Sequence, residues 1–199
     1  MTGTTPTHHD DDLIRALLAD VPFDGWTRNA LRRALAATGR DAADAALLFP
    51  GGAGEMIEAW ADLADRDMLA DAEAADFSEL RTPARVRAVI LLRLDRNRPH
   101  REALRRALAV LALPGHARLA ARLTARTVDA IWHAAGDTSA DFSWYTKRAM
   151  LAGVYTATTL FWLRDTSDDA AETVEFLDRR LADIGRIGKL RKRLEALVP

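Results

Sequence analysis

The side chains best suited to catalysis are sparse in this sequence and badly spaced for it. Five histidines, His8, His9, His100, His116 and His133, are scattered over 199 residues, and there is no cysteine. A helical zinc or di-iron centre needs ligands one turn apart, as His-Glu-x-x-His or Glu-x-x-His supplies, and neither spacing occurs. The lack of cysteine removes disulfides and thiolate metal sites and fits a reducing compartment. Gly51-Gly-Ala-Gly54 lacks the Lys-Ser/Thr that completes a phosphate loop, and it reads as a turn before a helix. No Gly-x-Ser-x-Gly elbow is present. His133 and Asp137 are four apart, the spacing of an orienting pair on one helix, but Gly136 ends that helix between them. Asp137 then reads as a cap for the next segment, and His133 as structural. Asp168 and Asp169 fall at a helix start, where negative charge suits the helix dipole. No catalytic residue, metal ligand or cofactor is assigned, and a binding protein is expected rather than an enzyme.

Binding chemistry is concentrated in Asp141-Phe142-Ser-Trp144-Tyr145-Thr-Lys147-Arg148. Trp144 and Tyr145 are adjacent, so on a helix they point about 100° apart and cannot both face one core direction. With Lys147 and Arg148 beside them, at least one ring is expected near the surface, and exposed aromatic–cation clusters have the composition of interface hot spots. The alternative is that both rings are buried between neighbouring helices. The same helix continues with Met150, Val154, Tyr155, Leu160, Phe161 and Trp162. Together with Trp132 from the preceding helix, such a run suits the lining of an apolar cavity. Ordinary core packing explains those positions equally well.

Helices must carry all of these residues. Half of the chain is apolar, enough for a sizeable core, and no window alternates with period two between turn residues. The periodicity and the breakers predict helices at about 11–19, 27–38, 41–48, 54–72, 82–96, 99–112, up to 135, 141–163, 166–185 and 186–198. Gly39 and Gly136 are expected as left-handed caps, and Thr166 with Asp169 as the cap of the ninth helix. The longest charge-free apolar stretch, Ala149 to Leu163, is 15 residues, short of the roughly 20 that span a bilayer. Residues 1–12 are short, polar and acidic, which is neither a signal nor a transit sequence. Residues 1–9 read as a disordered tail.

Formal net charge is −1, so charge acts only locally. The last helix holds Ile187, Leu190, Leu194 and Leu197 at spacings of 3, 4 and 3, with Arg186, Lys189, Arg191, Lys192 and Arg193 between them. An apolar stripe beside a basic face suits anionic lipid headgroups, at about 1 kcal/mol per cation near the surface. The alternative is a terminal helix packed on the domain or on a second subunit.

The first three helices, then Phe49-Pro50 and a fourth helix opening Glu55-Met-Ile, are similar to the DNA-binding head of TetR-type regulators. A recognition helix must bring donors and cations to a groove. Here its counterpart, Asp41-Ala-Ala-Asp-Ala-Ala-Leu-Leu48, brings two carboxylates and no Asn, Gln, Lys or Arg. Residues 10–60 hold five Arg and nine Asp or Glu, a net of 5 − 9 = −4. A degenerate helix-turn-helix without nucleic acid as partner is expected.

Ile131-Trp132, Ala135-Gly136-Asp137, Asp141-Phe142, Trp144-Tyr-Thr-Lys-Arg148, Leu151, Val154-Tyr155, Phe176-Leu-Asp-Arg-Arg180 and the Leu48-Phe-Pro-Gly51 corner carry a further likeness. Over about residues 45–185 the chain resembles the ubiquinone-biosynthesis accessory family whose eukaryotic member is the ninth COQ protein. Ala140 and Ser143 stand where Thr and Asn are expected in that family. The resemblance implies a TetR-like fold without DNA binding and a hydrophobic cavity for an isoprenoid lipid. It also implies a di-iron demethoxyubiquinone hydroxylase as partner.

These readings combine into one expectation: an all-α, TetR-like bundle of about ten helices. A degenerate helix-turn-helix covers 10–53, a ligand and partner domain 54–185, and an amphipathic basic helix 186–199. Trp132, Met150, Val154, Tyr155, Leu160 and Trp162 would meet the lipid. Asp141, Phe142, Trp144, Tyr145, Lys147 and Arg148 would meet the hydroxylase. Arg186, Ile187, Lys189, Leu190, Lys192, Arg193, Leu194 and Leu197 would meet the membrane. The protein would be cytoplasmic, peripherally associated with the inner membrane, and able to form a homodimer. A TetR-type regulator with a lipid effector and a hydrolase using His133 are the rival readings.

Overall fold

The computed structural model describes residues 9–136 and 143–195, with side chains for 11–136 and 145–184. All regular structure among them is helical. In chain order it comprises α1 (His9–Asp24), α2 (Arg28–Ala37), α3 (Ala45–Leu48), α4 (Ala53–Ala74), α5 (Thr82–Arg96), α6 (Arg101–Leu111), α7 (Ala117–Ala134), α8 (Ser143–Trp162) and α9 (Ala171–Glu195). Short 3-10 turns precede α3, α6, α7 and α9.

The chain forms two compact units, Met1–Asp67 with Arg96–Leu123, and Met68–Asp95 with Thr124–Pro199. In the first, α1 packs on α2 and on α6. Leu13, Ile14, Leu17, Leu31, Leu35, Met56 and Ile57 are sealed at its centre. Trp26 and Trp60 meet there with ring centroids 5.3 Å apart, and Trp26 Nε1 donates to the Ala103 carbonyl at 3.1 Å. A buried indole thus keeps its polar edge satisfied while its face packs. In the second unit, α8 packs on α9, and Val86, Val89, Ile90, Val128, Ile131, Leu151 and Leu177 are buried.

Several termini follow the expected chemistry. Thr27 caps α2 by accepting from the Ala30 N–H, and Gly39 takes φ +71° just beyond its end. Gly136 takes φ +74° after α7. Other ends differ. The counterpart of the recognition helix is a 3-10 turn at Ala42–Asp44 followed by only four α-helical residues, and Asp41 spends its carboxylate on the Ala43 N–H at 2.8 Å.

The expected stop at Gly185 is not taken: α9 runs through Gly185 and Gly188 to Glu195 as one helix. Each of these two glycines costs only about 1 kcal/mol inside a helix, which 25 continuous residues can absorb. The expected Thr166–Asp169 cap is also replaced. Asp169 adopts φ +50°, and the carboxylate that closes the start of α9 is that of Asp165.

Candidate binding site

Those residues expected to bind lipid and partner that the structure describes lie on α7 and α8, in the second unit. Helix α8 divides by exposure. Leu151, Val154, Thr158, Thr159, Trp162 and Leu163 are buried, whereas Tyr145, Ala149, Gly153, Thr156 and Leu160 are exposed. The exposed set recurs at spacings of 4, 4, 3 and 4, one continuous face without a charge. Of the residues expected to line a cavity, Val154 and Trp162 turn inward and Trp132, Met150 and Tyr155 are half-buried. Leu160 is a correction: it is 51% exposed, because its place four residues after Thr156 puts it on the outer face.

The cluster expected to meet a partner is split. Tyr145 is 73% exposed and settles its own orientation. Lys147 sits with Nζ 6.0 Å from the centre of the Trp132 ring, a cation–π geometry between α8 and α7. Arg148 is largely covered: its side chain is 17% exposed and pairs with Asp129 of α7. The backbone of Trp144 belongs to α8, but its side chain, and all of Asp141 and Phe142, lie outside the described residues. So do the side chains of Arg186, Ile187, Lys189, Leu190, Lys192, Arg193 and Leu194, whose backbone continues α9, and the whole of Leu197. His133 is exposed, and its would-be partner Asp137 is likewise outside.

Structure adds residues that the sequence did not single out. Arg93, 6% exposed inside the apolar run of α5, donates Nε–H to the Tyr155 hydroxyl at 2.9 Å. Arg87 of α5 forks onto Asp178 of α9 at 2.5 and 3.0 Å. Phe161 and Phe176 stack with centroids 4.6 Å apart, tying α8 to α9. At their junction Asp165 accepts from Ser167 N and Oγ and from Thr173 N and Oγ1, at 2.5 to 2.8 Å. Burial pushes this carboxyl up, but the four hydrogen bonds outweigh it and hold its pKa at about 2. The only available signal was a string of acids and hydroxyls at 165–173, which does not say which acid caps.

The arrangement is one of helices pinned by polar pairs, some exposed and some part-buried, around aromatic and aliphatic side chains. No cluster of His, Asp or Glu that could hold a metal occurs among the described residues. None of the described helices is long and apolar enough to cross a membrane.

Known proteins are similar to the chain in both fold and sequence. The chain superposes on the crystal structure of a TetR transcriptional regulator from Nitrosomonas europaea with a TM-score of 0.70, covering 88% of this chain and 97% of that one at 24% identity. The fold is therefore TetR-like. The family model of COQ9 matches residues 117–188, which includes α7, α8 and most of α9. The COQ9 ubiquinone biosynthesis protein of Schizosaccharomyces pombe is 32% identical over 90% of this chain and 71% of its own length. The chain belongs to the COQ9 family. The mitochondrial COQ9 proteins of Rattus norvegicus and Homo sapiens are 33% and 32% identical over 92% of this chain, which spans about 60% of their length. The COQ9 match thus covers the helices that carry Trp132, Tyr145, Lys147 and Arg148.

Proposed function

We propose that this COQ9-family chain is a lipid-binding accessory protein of ubiquinone biosynthesis and not itself an enzyme. It binds an isoprenoid quinone precursor at the membrane surface and presents it to the di-iron demethoxyubiquinone hydroxylase. The observation that carries the reading is Tyr145, 73% exposed at the head of α8, more than two turns before the buried Val154 and Trp162. A docking residue and apolar interior positions share one rigid helix. The names of the relatives supply the pathway.

The physical need is clear. Moving an isoprenoid chain from bilayer to water costs roughly 0.8 kcal/mol per methylene-sized unit, and an apolar interior lowers that barrier without any catalysis. The basic segment of α9, with seven basic and two acidic residues from Arg179 to Glu195, would hold the protein reversibly at an anionic inner-membrane surface. Against the rival regulator reading stands α3, four residues long and preceded by Asp41 and Asp44, which offers a groove no cation.

Native mass spectrometry with lipid extraction of the purified protein tests the lipid claim. Co-purified isoprenoid or phospholipid is expected, and a lipid-free protein would sink it. Pull-down of the hydroxylase should weaken on Tyr145→Ala, and an unchanged yield would remove Tyr145 from the docking face. Salt-sensitive nanomolar binding to upstream DNA in a gel shift would favour the regulator instead.

A further inference from the structure

The inward face of α8 carries oxygen where packing alone would use carbon. Tyr155, Thr158, Thr159 and Trp162 stand at i, i+3, i+4 and i+7, so they share one side of the helix. The Tyr155 hydroxyl accepts from buried Arg93 at 2.9 Å, which leaves its own proton to donate. Thr158 is fully buried and Thr159 is 5% exposed, yet neither hydroxyl has a hydrogen-bond partner. A threonine inside a helix ordinarily turns its hydroxyl back onto a carbonyl of the preceding turn, and neither does so here. An unpartnered buried hydroxyl costs stability that a valine of the same shape would not. Two of them, side by side and one turn from an arginine-held phenol, make a row of donors inside an apolar region.

We propose that Thr158 and Thr159, with Tyr155, hydrogen-bond the oxygen atoms of the ligand's quinone ring, leaving its isoprenoid chain to the apolar residues around them. Quinone carbonyl and methoxy oxygens accept and do not donate, which matches three hydroxyls each with a proton to give. A ring-free hydrocarbon offers nothing to this row. The inference rests on the lipid-binding reading above and adds to it the selection of an oxygenated ring.

The test compares the wild-type chain with Thr158→Val, Thr159→Val and the double variant. Two probes are used: a dimethoxybenzoquinone bearing two isoprene units, and an unoxygenated isoprenoid hydrocarbon of similar size. Each is read by displacement of an apolar fluorescent dye, alongside thermal unfolding of the ligand-free protein. The double variant should bind the quinone about tenfold more weakly and the hydrocarbon within about twofold of wild type. Its ligand-free unfolding midpoint should be equal or higher. Unchanged quinone affinity would overturn this inference and leave the lipid-binding reading standing. Loss of both probes with a lowered midpoint would also overturn it, by making the threonines packing residues. A wild-type chain that binds neither probe would overturn the lipid reading and this inference together.

Discussion

Arg93 on α5 and Tyr155 on α8 are joined by one hydrogen bond of 2.9 Å, from a guanidinium that is 6% exposed to a phenol oxygen. A charge so placed tolerates burial only while its donors are taken up. Tyr155→Phe removes the acceptor and leaves the charge in place, at an expected cost of about 1.5–3 kcal/mol. Urea unfolding of the variant checks this. A loss below about 0.5 kcal/mol would mean that Arg93 does not depend on Tyr155.

Asp165 makes stability depend on pH in a defined direction. Its folded pKa of about 2 lies below the ordinary 3.8, so the unfolded chain takes up the proton first on acidification. The stabilisation is therefore complete above about pH 4 and is lost as pH falls through about 2. Asp165→Asn should cost about 1–2 kcal/mol at pH 7, since an amide oxygen replaces two charge-assisted acceptors at the α9 terminus. Chemical unfolding at pH 7 and pH 3 should show the gap between wild type and variant narrowing in acid. A gap that stays constant would contradict the assignment.

Two glycines should respond oppositely to alanine. Gly136 holds φ +74°, and a Cβ there would also sit 3.0 Å from Arg85 Nη1. Gly136→Ala should destabilise by about 1–2 kcal/mol, mostly through the left-handed backbone, because the guanidinium end can move. Gly153 lies inside α8 with nothing within 4 Å of its would-be Cβ. Gly153→Ala should stabilise by about 0.5–1 kcal/mol. Thermal unfolding measures both. A destabilised Gly153→Ala would show that the uncharged outer face of α8 is covered in solution, and sedimentation would then show the second copy.

Arg148 and Tyr145 separate packing from surface. Arg148 is 17% exposed on Asp129, whereas Tyr145 is 73% exposed. Arg148→Ala should cost about 1–3 kcal/mol by losing a part-buried ion pair and its aliphatic stem. Tyr145→Ala should stay within about 0.5 kcal/mol of wild type. Equal losses in the two variants would mean that Tyr145 packs against something that the single chain does not show.

Helical class, the caps at Gly39 and Gly136, and family membership were all legible in the residues, because backbone chemistry and motif identity are local. A glycine after an apolar stripe acts within a single turn, whatever surrounds it. Three things were not legible, each for a separate reason. Gly185 reads as a stop, but its penalty is small enough for a long helix to run through. The acids and hydroxyls of 165–173 offer several caps of equal local merit, and only the folded path from α8 to α9 brings Asp165 onto the Ser167 and Thr173 donors. The pairing of Arg148 with Asp129, 19 residues earlier, exists only once α7 and α8 are side by side.

The sequence by itself therefore determined that the chain is helical, which family it belongs to and which stretch of α8 is chemically unusual. Only the tertiary structure decided which side of α8 meets water. A helix offers every side chain a direction, but burial is set by the neighbours it packs on. Those neighbours, α5 with Arg93, α7 with Asp129 and Trp132, and α9 with Phe176, come from other parts of the chain. The side of α8 left uncovered carries Tyr145 and Leu160, and the hydroxyls of Thr158 and Thr159 lie inside.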